Sequence, residues 1–521
     1  MPFGLAPACW VFTKLIRVLV DFWRSRGLGC LSYIDDGLGG HGNMARALFF
    51  RNLVIETLLD AGWFINWAKS EWDLSHRAEF IGYRLGTLGL GFLEPSLSRV
   101  EKLEAGLIKV LAARTVSARN VAKIAGYIVS LRPVFDPMAL LFTKHMYIWL
   151  TRVQESVGWD YRVGLEPEVR QEFRIWKVWL PRWVRKSLWS NGAPPVWVQA
   201  QDASDSAVGG WLGMLGGLGL ELDKKGRQHL VGFTEEALEA VGRLDRWDQE
   251  QSSTYRELFA LFFMIDSFKD RLRGSSVLVQ ADNRALFFIC SSGKTKSLVI
   301  HSLLVRLFWL CKEYSIEWDI VWLPRELNQW ADDLSKFVDP DDWKLSERVW
   351  VEIVGIFRKF DREFSCDRFA ADGANVLDCF CALHWCPGVW FVDCFSRSWS
   401  EGFSWWHPNP RDVPRVLAKV RNDRAGGALL VPLWPGSWWW GRLCPDGRHF
   451  GDLVRGWFEL ERSHDLFIKG PSRNFWSRES PRSRILVVWL DGLDLQEFRP
   501  GRLGFCSVGG CSDCEVNGCF C

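Results

Sequence analysis

Four acidic residues between positions 196 and 338 end or begin regular patterns of apolar residues: Asp202, Glu257, Asp282 and Asp332. Apolar, β-branched runs lead directly into Asp202 and Asp282, which predicts two strands that each end on a carboxylate. Ser252 and its neighbours are typical helix N-cap residues, so we expect Glu257 in the first turn of a helix that runs to about Lys269. Taken singly, each acid is also typical of a turn or of a favourable charge near a helix N-terminus. Together, the four acids predict one functional site.

Several carboxylates at one place suit the hydrolysis of a phosphodiester by two divalent cations. In-line attack of water needs one cation near the attacking oxygen and another near the leaving oxygen, about 4 Å apart. Because hard cations prefer carboxylate oxygens, we predict Mg²⁺, or alternatively Mn²⁺, at these acids. The segment after Asp202 contains Gly209 and Gly210, which we expect in the turn between the first two strands.

The residues around these acids resemble the ribonuclease H domain that is attached to reverse transcriptases. The matching motifs are Asp-Ala-Ser from Asp202, Arg-Glu-Leu around Glu257, Asp-Asn from Asp282 and Ala-Asp-x-Leu-Ser around Asp332. The resemblance implies a ribonuclease H-like mixed α/β domain with these four acids as catalytic metal ligands. The substrate that it implies is the RNA strand of an RNA–DNA hybrid.

The same resemblance makes further expectations about individual residues. It implies a nucleic-acid contact at Asn283, and it aligns Asp332 rather than Asp333 with the last metal ligand. Some ribonucleases H carry a helper histidine shortly before that ligand, but no histidine lies between Trp322 and Ala331. This departure bears on the rate of turnover rather than on metal binding.

A second acidic motif lies near the N-terminus, where the apolar run that ends at Ile34 leads into Asp35, Asp36 and Gly37. The pattern predicts a hairpin with the acid pair at its turn. Two adjacent ionised carboxylates repel each other, and a divalent cation relieves that repulsion. A solvated turn without metal is the alternative interpretation of these residues.

The motifs around this hairpin resemble, in order and spacing, the palm of reverse transcriptases. They are Pro-Phe-Gly-Leu, Tyr-x-Asp-Asp, Asn-Trp-Ala-Lys-Ser and Phe-x-Gly-Tyr. The resemblance implies an RNA-directed DNA polymerase that uses an RNA template and a DNA primer. Because the chain begins at the Pro-Phe-Gly motif, it also implies N-terminal truncation, with the third carboxylate on an upstream polyprotein segment. The implied catalytic metal ligands are Asp35 and Asp36, and the implied nucleic-acid contacts are Pro2, Phe3, Gly4 and Lys69.

The region after the ribonuclease H-like segment predicts a small α/β domain, with strand-like runs at 366–370 and 428–435. In this position it resembles the methyltransferase-like domain of DIRS-type retroelements, which is similar to DNA adenine N6-methyltransferases. The family motif Asn/Asp-Pro-Pro-aromatic corresponds to His-Pro-Asn-Pro at 407–410, where the aromatic residue is displaced. The resemblance implies S-adenosylmethionine as a cofactor if the domain is active. A folded remnant without methyl transfer is the alternative.

The C-terminal end is rich in Gly and Cys. Cys511 and Cys514 have the C-x₂-C spacing of a zinc site, but no histidine flanks them and no second C-x₂-C pair follows. Zinc binding and a disordered end are therefore both open interpretations of this segment.

Composition narrows the class of protein. The 15 cysteines are scattered without disulfide-like spacing and the first residues do not resemble a signal peptide, so we expect an intracellular protein of the cytoplasm or nucleus. No run reaches the roughly 18 apolar residues of a membrane span. The net charge is only +2, so no global basic field indicates nucleic acid. The sequence does not define an oligomeric state.

These observations predict a multidomain chain of α/β and α+β class. Its function is expected to be that of a retroelement reverse transcriptase/ribonuclease H with other retroelement products as partners; the alternative is a catalytically inactive nucleic-acid-binding remnant. The expected domains are a partial polymerase palm at 1–95, a helical thumb or connection at 96–192, a ribonuclease H-like domain at 193–338, a linker helix at 339–361, a methyltransferase-like domain at 362–470 and a Cys-rich tail at 471–521.

Overall fold

The computed structural model describes residues 7–89, 91–187, 195–337, 344–461, 465–468, 483–492, 503–505 and 519–520. The chain divides into two compact units, Met1–Ala193 with Ser292–Lys294 and Pro194–Ser291 with Thr295–Cys521. Both units mix helices and strands, which confirms the predicted mixed α/β, multidomain class. Within the described ranges, no helix combines the length and the apolar character that crossing a bilayer requires.

The first unit is mainly helical, with small antiparallel sheets. Its sheets have the strand orders β1-β2, β3-β4-β5-β8 and β6-β7. Its helices are α1 (Ala8–Ser25), α2 (Met44–Asp60), α3 (Leu97–Ala112), α4 (Ala118–Ser130), α5 (Arg132–Phe135), α6 (Met138–Leu141), α7 (Lys144–Val157) and α8 (Pro167–Trp183). Its strands are β1 (Gly29–Tyr33), β2 (Asp36–Gly40), β3 (Arg77–Phe80), β4 (Tyr83–Gly86), β5 (Phe92–Pro95), β6 (Val116–Ser117), β7 (Arg162–Val163) and β8 (Lys186–Ser187).

The helices of the first unit follow the apolar stripes of the sequence. Helices α1 and α2 pack around a small core of Val20, Trp23, Leu28 and Phe50. The stripe in α3 that includes Leu103 is buried, as is the stripe in α4 that ends at Ile128. The predicted helical character of 96–190 is confirmed for the described residues, since burying one apolar face stabilises an amphipathic helix.

The second unit contains two larger sheets. Its helices are α9 (Arg246–Gln249), α10 (Ser253–Leu272), α11 (Arg284–Ser292), α12 (Leu298–Glu313), α13 (Gln329–Ser335), α14 (Glu347–Arg358), α15 (Val413–Asp423) and α16 (Trp440–Leu443). Its strands are β9 (Trp197–Ala203), β10 (Ala207–Met214), β11 (Gly217–Leu222), β12 (Gln228–Phe233), β13 (Ala237–Arg243), β14 (Ser276–Ala281), β15 (Glu317–Trp322), β16 (Lys344–Leu345), β17 (Phe364–Asp367), β18 (Cys381–Ala382), β19 (Phe391–Val392), β20 (Phe403–Trp406), β21 (Gly426–Pro432), β22 (Val454–Glu459), β23 (Phe467–Ile468), β24 (Ile485–Asp491), β25 (Leu503–Phe505) and β26 (Cys519–Phe520). Single 3₁₀ turns occur at Arg325–Leu327, Cys394–Ser396 and Pro410–Asp412.

The first of these sheets has five strands in the order β13-β10-β9-β14-β15. Strands β9, β14 and β15 are parallel neighbours, whereas β10 runs antiparallel to β9 and β13. In the register of the parallel pair, Ala200 lies opposite Gln280. The acids two positions further along each strand, Asp202 and Asp282, therefore reach the same end of the sheet.

Gly209 and Gly210 lie inside β10, so their predicted place in the preceding turn is wrong. A Cβ atom on Gly209 would lie 2.3 Å from the carbonyl carbon of Leu334 in α13, and one on Gly210 would lie 2.4 Å from the carbonyl oxygen of Ala200. The two glycines are thus required by close backbone approach rather than by a turn. At Gly209 this approach brings α13 against the sheet.

The second sheet has seven strands in the order β17-β20-β21-β24-β22-β25-β26. Strands β17, β20 and β21 are parallel, and β24 pairs antiparallel with both β21 and β22. We predicted 471–521 as a tail, but Ile485–Asp491 forms a central strand of this sheet. The reason is that its apolar residues Ile485–Val488 are buried in the core between helices.

Candidate metal centre

Three of the predicted acids meet at one end of the five-stranded sheet. Asp202, Glu257 and Asp282 each offer a carboxylate oxygen, and these oxygens lie within 4.8 Å of one another. Asp202 comes from β9, Asp282 follows β14, and Glu257 comes from α10. The predicted N-cap of α10 is confirmed, because the Ser252 side chain accepts a hydrogen bond from Tyr255 N. Glu257 lies one turn later than predicted, since no acid occupies the first turn of α10.

Burial and mutual repulsion raise the pKa values of two of these acids. The pKa of Glu257 lies well above its ordinary value because the carboxyl is desolvated and because Asp202 and Asp282 are close by. Desolvation raises the pKa of Asp282 to about 6, reinforced by the charge of Asp202 and opposed by that of Arg325. Glu257 Oε2 is buried and has no hydrogen-bond partner. The cluster therefore favours either bound protons or a bound cation.

Asp332 lies beside this cluster in a different electrostatic environment. It occupies the first turn of α13, as predicted, and its Oδ1 lies 2.5 Å from Arg325 Nη2. Lys336 forms a second ion pair with the same carboxylate. The hydrogen bond from Lys336, followed by that from Arg325, lowers the pKa of Asp332. Asp332 is thus ionised and neutralised by cations, whereas Asp333 is exposed and accepts a hydrogen bond from Gln329.

Two neutral residues fix this arrangement and were not predicted as part of the site. The Ser335 hydroxyl donates to Asp202 Oδ2 at 2.8 Å and lies 2.9 Å from the carbonyl oxygen of Asp332. Asn328 Nδ2 donates to the carbonyl oxygen of Gln201, next to Asp202. Ser335 ends the Ala-Asp-x-Leu-Ser motif, which was the sequence signal available for it. Asn328 gave no such signal, because its role depends on a contact with a distant strand.

The residues of the cluster fit a divalent cation. The three carboxylates are close together, Asp202 and Glu257 are buried, Asp282 is half-buried, and Glu257 Oε2 has no hydrogen-bond partner. They form an all-oxygen donor set, which Mg²⁺ and Mn²⁺ prefer. Asp202, Glu257 and Asp282 would hold the ion directly. Asp332 would join them only by exchanging its contacts with Arg325 and Lys336 for the metal.

The N-terminal acid pair has a different environment. Tyr33 pairs with Asp36 in the β1-β2 hairpin, so Ile34 and Asp35 form its two-residue turn, with Ile34 at φ 53°. This confirms the predicted hairpin. Asp35 and Asp36 are both exposed, and neither belongs to a group of three metal-ligating side chains among the described residues.

The other predicted contact residues are placed as follows. Lys69 is exposed in a turn, where its backbone N–H donates to the carbonyl oxygen of Asn66. Asn283 uses its side-chain oxygen to accept from Leu286 N, so it also has a structural role at the start of α11. The remaining predicted residues lie outside the described ranges: Pro2, Phe3, Gly4, Cys511 and Cys514.

The His-Pro-Asn-Pro segment follows β20 in the seven-stranded sheet. Burial lowers the pKa of His407 to about 3, and its ring stacks on Phe467. Asn409 caps a 3₁₀ turn by accepting from Arg411 N. A neighbouring cavity of about 140 Å³ is lined by residues that include Arg368 and Asn409. This volume is well below the roughly 300–1,000 Å³ of pockets that enclose drug-sized ligands. The cavity does not fit S-adenosylmethionine, and we derive no methyl-transfer step from this region.

No protein-family model matches the sequence, and no curated protein matches it. Among solved structures, the chain is similar to a foamy viral protease-reverse transcriptase in complex with double-stranded DNA, with 15% identity and a TM-score of 0.32 over 61% of this chain and 50% of that chain. A foamy viral protease-reverse transcriptase in complex with an RNA/DNA hybrid matches with 14% identity and a TM-score of 0.31, over 61% of this chain and 38% of that chain.

A third similarity is to RNase H1 from the halophilic archaeon Halobacterium salinarum NRC-1. It has 19% identity and a TM-score of 0.20, and it covers 26% of this chain and 92% of that chain. The chain thus spans about half or less of these two foamy viral proteins and most of the archaeal one. We base the proposed function on the geometry of the carboxylates.

Proposed function

We propose that this chain is a metal-dependent nuclease that hydrolyses the RNA strand of RNA–DNA hybrids. The observation that carries the proposal is the group of buried Asp202, buried Glu257 and half-buried Asp282, whose carboxylate oxygens lie within 4.8 Å of one another. The motifs around these acids support the ribonuclease H assignment. The polymerase-like hairpin and the order of the segments support an origin in the reverse transcriptase/ribonuclease H polyprotein of a DIRS-type retroelement.

The residues of the site have distinct roles in this proposal. Divalent cations, when bound, supply activation of water and stabilisation of the leaving oxygen. Asp202, Glu257 and Asp282 would hold them, and Ser335 keeps the Asp202 carboxylate oriented through its 2.8 Å hydrogen bond. The raised pKa values of Glu257 and Asp282 mean that metal binding releases protons. Metal affinity is therefore expected to rise with pH.

Selectivity for RNA requires contacts to 2′-hydroxyl groups, which a DNA duplex lacks. Asn283 directly follows Asp282 and is half-buried beside it, so it is our candidate for such a contact. Its side-chain oxygen is engaged by Leu286 N, which leaves the amide N–H groups as the donors for this role.

RNA-directed DNA synthesis is supported less directly by the described residues. Asp35 and Asp36 would supply two carboxylates to a polymerase site on an RNA template and a DNA primer, but both are exposed and no third acid is grouped with them within the described ranges. A two-metal polymerase site needs further carboxylates. We therefore place hybrid hydrolysis first and polymerisation second.

Cleavage of a labelled RNA–DNA hybrid by the full chain in Mg²⁺ tests the proposal. RNA–RNA and DNA–DNA duplexes serve as substrate controls. Hybrid-only cleavage that disappears with EDTA is the expected result. A folded chain that cuts none of the three duplexes would support the alternative function, a catalytically inactive nucleic-acid-binding remnant.

A further inference from the structure

A two-stranded hairpin is inserted between two neighbouring strands of the five-stranded sheet. Strands β11 and β12 lie between β10 and β13 in sequence and form their own antiparallel ribbon. The tip of this hairpin, residues 223–227, carries three exposed basic side chains at Lys224, Lys225 and Arg227. We call these five residues the basic tip.

Buried Asp223 fixes the shape of the basic tip. Its carboxylate accepts hydrogen bonds from the backbone N–H groups of Lys225 and Arg227 at 2.8 and 2.9 Å. It also accepts from the Arg227 side chain at 2.7 Å and lies 3.1 Å from His229 Nε2. The Arg227 side chain is therefore partly engaged by Asp223 within the tip. The side chains of Lys224 and Lys225 are exposed to solvent on a turn whose backbone is fixed by hydrogen bonds.

The hairpin is anchored next to the carboxylate cluster. The ring of His229 packs edge-on against Trp322, with a centroid distance of 5.3 Å. Trp322 Nε1 in turn donates to the backbone carbonyl oxygen of Asp282 at 2.8 Å. At the other end of β12, Gly232 N donates to the side chain of buried Gln280, two residues before Asp282. One side of the hairpin is thus two contacts away from a proposed metal ligand.

The basic tip approaches the cluster from a second direction. Lys224 N lies 3.4 Å from Glu326 Oε1, with Lys224 as the donor. Glu326 directly follows Arg325, whose guanidinium contacts the carboxylate of Asp332. The backbone of the tip therefore adjoins the loop that leads into α13 and its acid.

The exposed charges around this side of the site are mainly positive. Arg284 lies over the Trp322 ring at 4.3 Å and is exposed, as is Arg325. Among the acids near the tip, buried Asp223 is neutralised by Arg227, Glu221 is half-buried in β11 and Glu326 is exposed. Because Arg227 pairs with Asp223 and Arg325 pairs with Asp332, the positive charge left on the solvent side comes from Lys224, Lys225 and Arg284.

A polyanion that enters a site built from carboxylates is repelled by them. Positive side chains that flank such a site compensate the repulsion and bind the phosphate backbone, where they release condensed counterions. The basic tip meets this requirement because its hairpin contacts Trp322 beside Asp282 and because the side chains of Lys224 and Lys225 are exposed. Phosphate contacts of this kind position the substrate without reading its sequence.

We propose that the basic tip, through Lys224 and Lys225, binds the phosphate backbone of the nucleic acid that is cleaved at Asp202, Glu257 and Asp282. The inference rests on the proposed nuclease function for the identity of the substrate. It assigns the hairpin a role as a positioning surface that raises affinity for the duplex and takes no part in the hydrolysis itself.

The test compares binding of an RNA–DNA hybrid to the full chain and to the double variant K224E/K225E. Binding is measured in EDTA, so that no cleavage occurs, over a series of salt concentrations. The variant is expected to bind the hybrid severalfold more weakly. The slope of log Kd against log salt is expected to fall by about 2, roughly one for each lysine.

The matched control is K312E/K359E, which makes the same change in charge at two exposed lysines. Lys312 lies near the end of α12, just before β15 begins, and Lys359 follows α14. The control is expected to keep the affinity and the salt slope of the unmodified chain. Equal thermal unfolding of both variants would establish that the hairpin change leaves the fold intact.

Equal binding of the hybrid by the two double variants overturns the proposal, as does a lack of binding by the unmodified chain. Failure of the nuclease function is separable, because it is read from cleavage in Mg²⁺ and not from binding in EDTA. A chain that loses affinity with K224E/K225E but cuts no hybrid would support the binding surface and contradict the nuclease assignment.

Discussion

The two acidic sites of this chain differ in what surrounds their carboxylates. Asp202, Glu257 and Asp282 come from three separate segments and converge in a largely buried group, whereas Asp35 and Asp36 are neighbours at one exposed hairpin turn. Burial deprives the first group of water and raises the pKa values of Glu257 and Asp282. The exposed pair keeps its hydration. A bound cation therefore offsets more desolvation and charge repulsion at Asp202, Glu257 and Asp282 than at Asp35 and Asp36. The sequence motif of the exposed pair is nevertheless the easier one to recognise.

The largest expected effect is on cleavage. We expect Asp282→Asn to reduce hydrolysis of an RNA–DNA hybrid by at least a hundredfold. Loss of a residue that only orients a metal ligand lowers metal affinity or activity about 10–100-fold, and Asp282 is proposed as a direct ligand. The amide preserves shape, so the fold is expected to remain. Initial rates with labelled hybrid in Mg²⁺ provide the measurement.

Asp333→Asn is the matched control for this change, because it removes the same charge from an exposed neighbour of Asp332. It is expected to cleave close to the rate of the unmodified chain. Equal loss of activity in both variants would show that cleavage depends on the total negative charge near the site. It would contradict the assignment of Asp282 as a direct metal ligand.

The second expected effect is stabilisation by metal. A ligand that binds only the folded state raises the free energy of unfolding by about 2.7 kcal/mol at 100 times its Kd. We expect Mg²⁺ to raise the unfolding temperature of the second unit, and Asp282→Asn to abolish most of the increase. The double variant D35N/D36N is expected to retain it. Retention by Asp282→Asn with loss in D35N/D36N would reverse the comparison between the two sites.

A third prediction concerns the packing that brings Asp332 and Ser335 to the cluster. In Gly209→Ala the new methyl group would lie 2.3 Å from backbone atoms of α13. Overpacking of this kind costs about 1–3 kcal/mol, so we expect lower stability in urea unfolding together with slower cleavage.

Gly217→Ala provides the comparison for that variant, since no heavy atom lies within 4 Å of the added Cβ and the residue also belongs to a strand. It is expected to unfold at the same urea concentration as the unmodified chain or at a slightly higher one. If both alanine variants have the same stability, α13 does not depend on Gly209 for its approach to the sheet.

The smallest expected effect is on the pH dependence of stability without divalent cations. The folded-state pKa of Asp282, about 6, exceeds the ordinary value of about 3.9. Its contribution is therefore fully present below about pH 4 and is lost as the pH rises through about 6. Glu257 acts in the same direction. The difference in unfolding free energy between the unmodified chain and Asp282→Asn, measured from pH 4 to pH 7, isolates this contribution.

Saturating Mg²⁺ should remove that decline, because the cation replaces the protons. A difference between the two proteins that stays constant from pH 4 to pH 7 would contradict the raised pKa of Asp282.

Much of this arrangement was predictable from local sequence patterns. The apolar runs before Asp202 and Asp282 predicted strands, and Ser252 predicted the start of α10, because these signals depend on neighbouring residues. Gly209 was misplaced because a glycine in a turn and one beneath a helix look the same locally. Its structural reason is a contact with Leu334, more than a hundred residues away.

Contacts between distant segments account for the other differences. Asn328 reaches Gln201 across the fold, and the hairpin of β11 and β12 packs on Trp322, so neither contact has a sequence period that would indicate it. The strand Ile485–Asp491 is different, because its apolar, β-branched run is a local strand signal that was overlooked when the segment was assigned to a tail. What that run could not indicate is its pairing with β21 and β22. Helices and strands were predictable where neighbouring residues carry the signal. The order of strands in a sheet was not, because it depends on contacts between distant segments.

Anomalous scattering from Mn²⁺ in crystals of the full chain would locate the bound metal directly. We predict a peak about 2 Å from carboxylate oxygens of Asp202, Glu257 and Asp282, as expected for a small, hard divalent cation. No peak at these three acids, together with a peak at Asp35 and Asp36, would contradict the assignment of the metal centre.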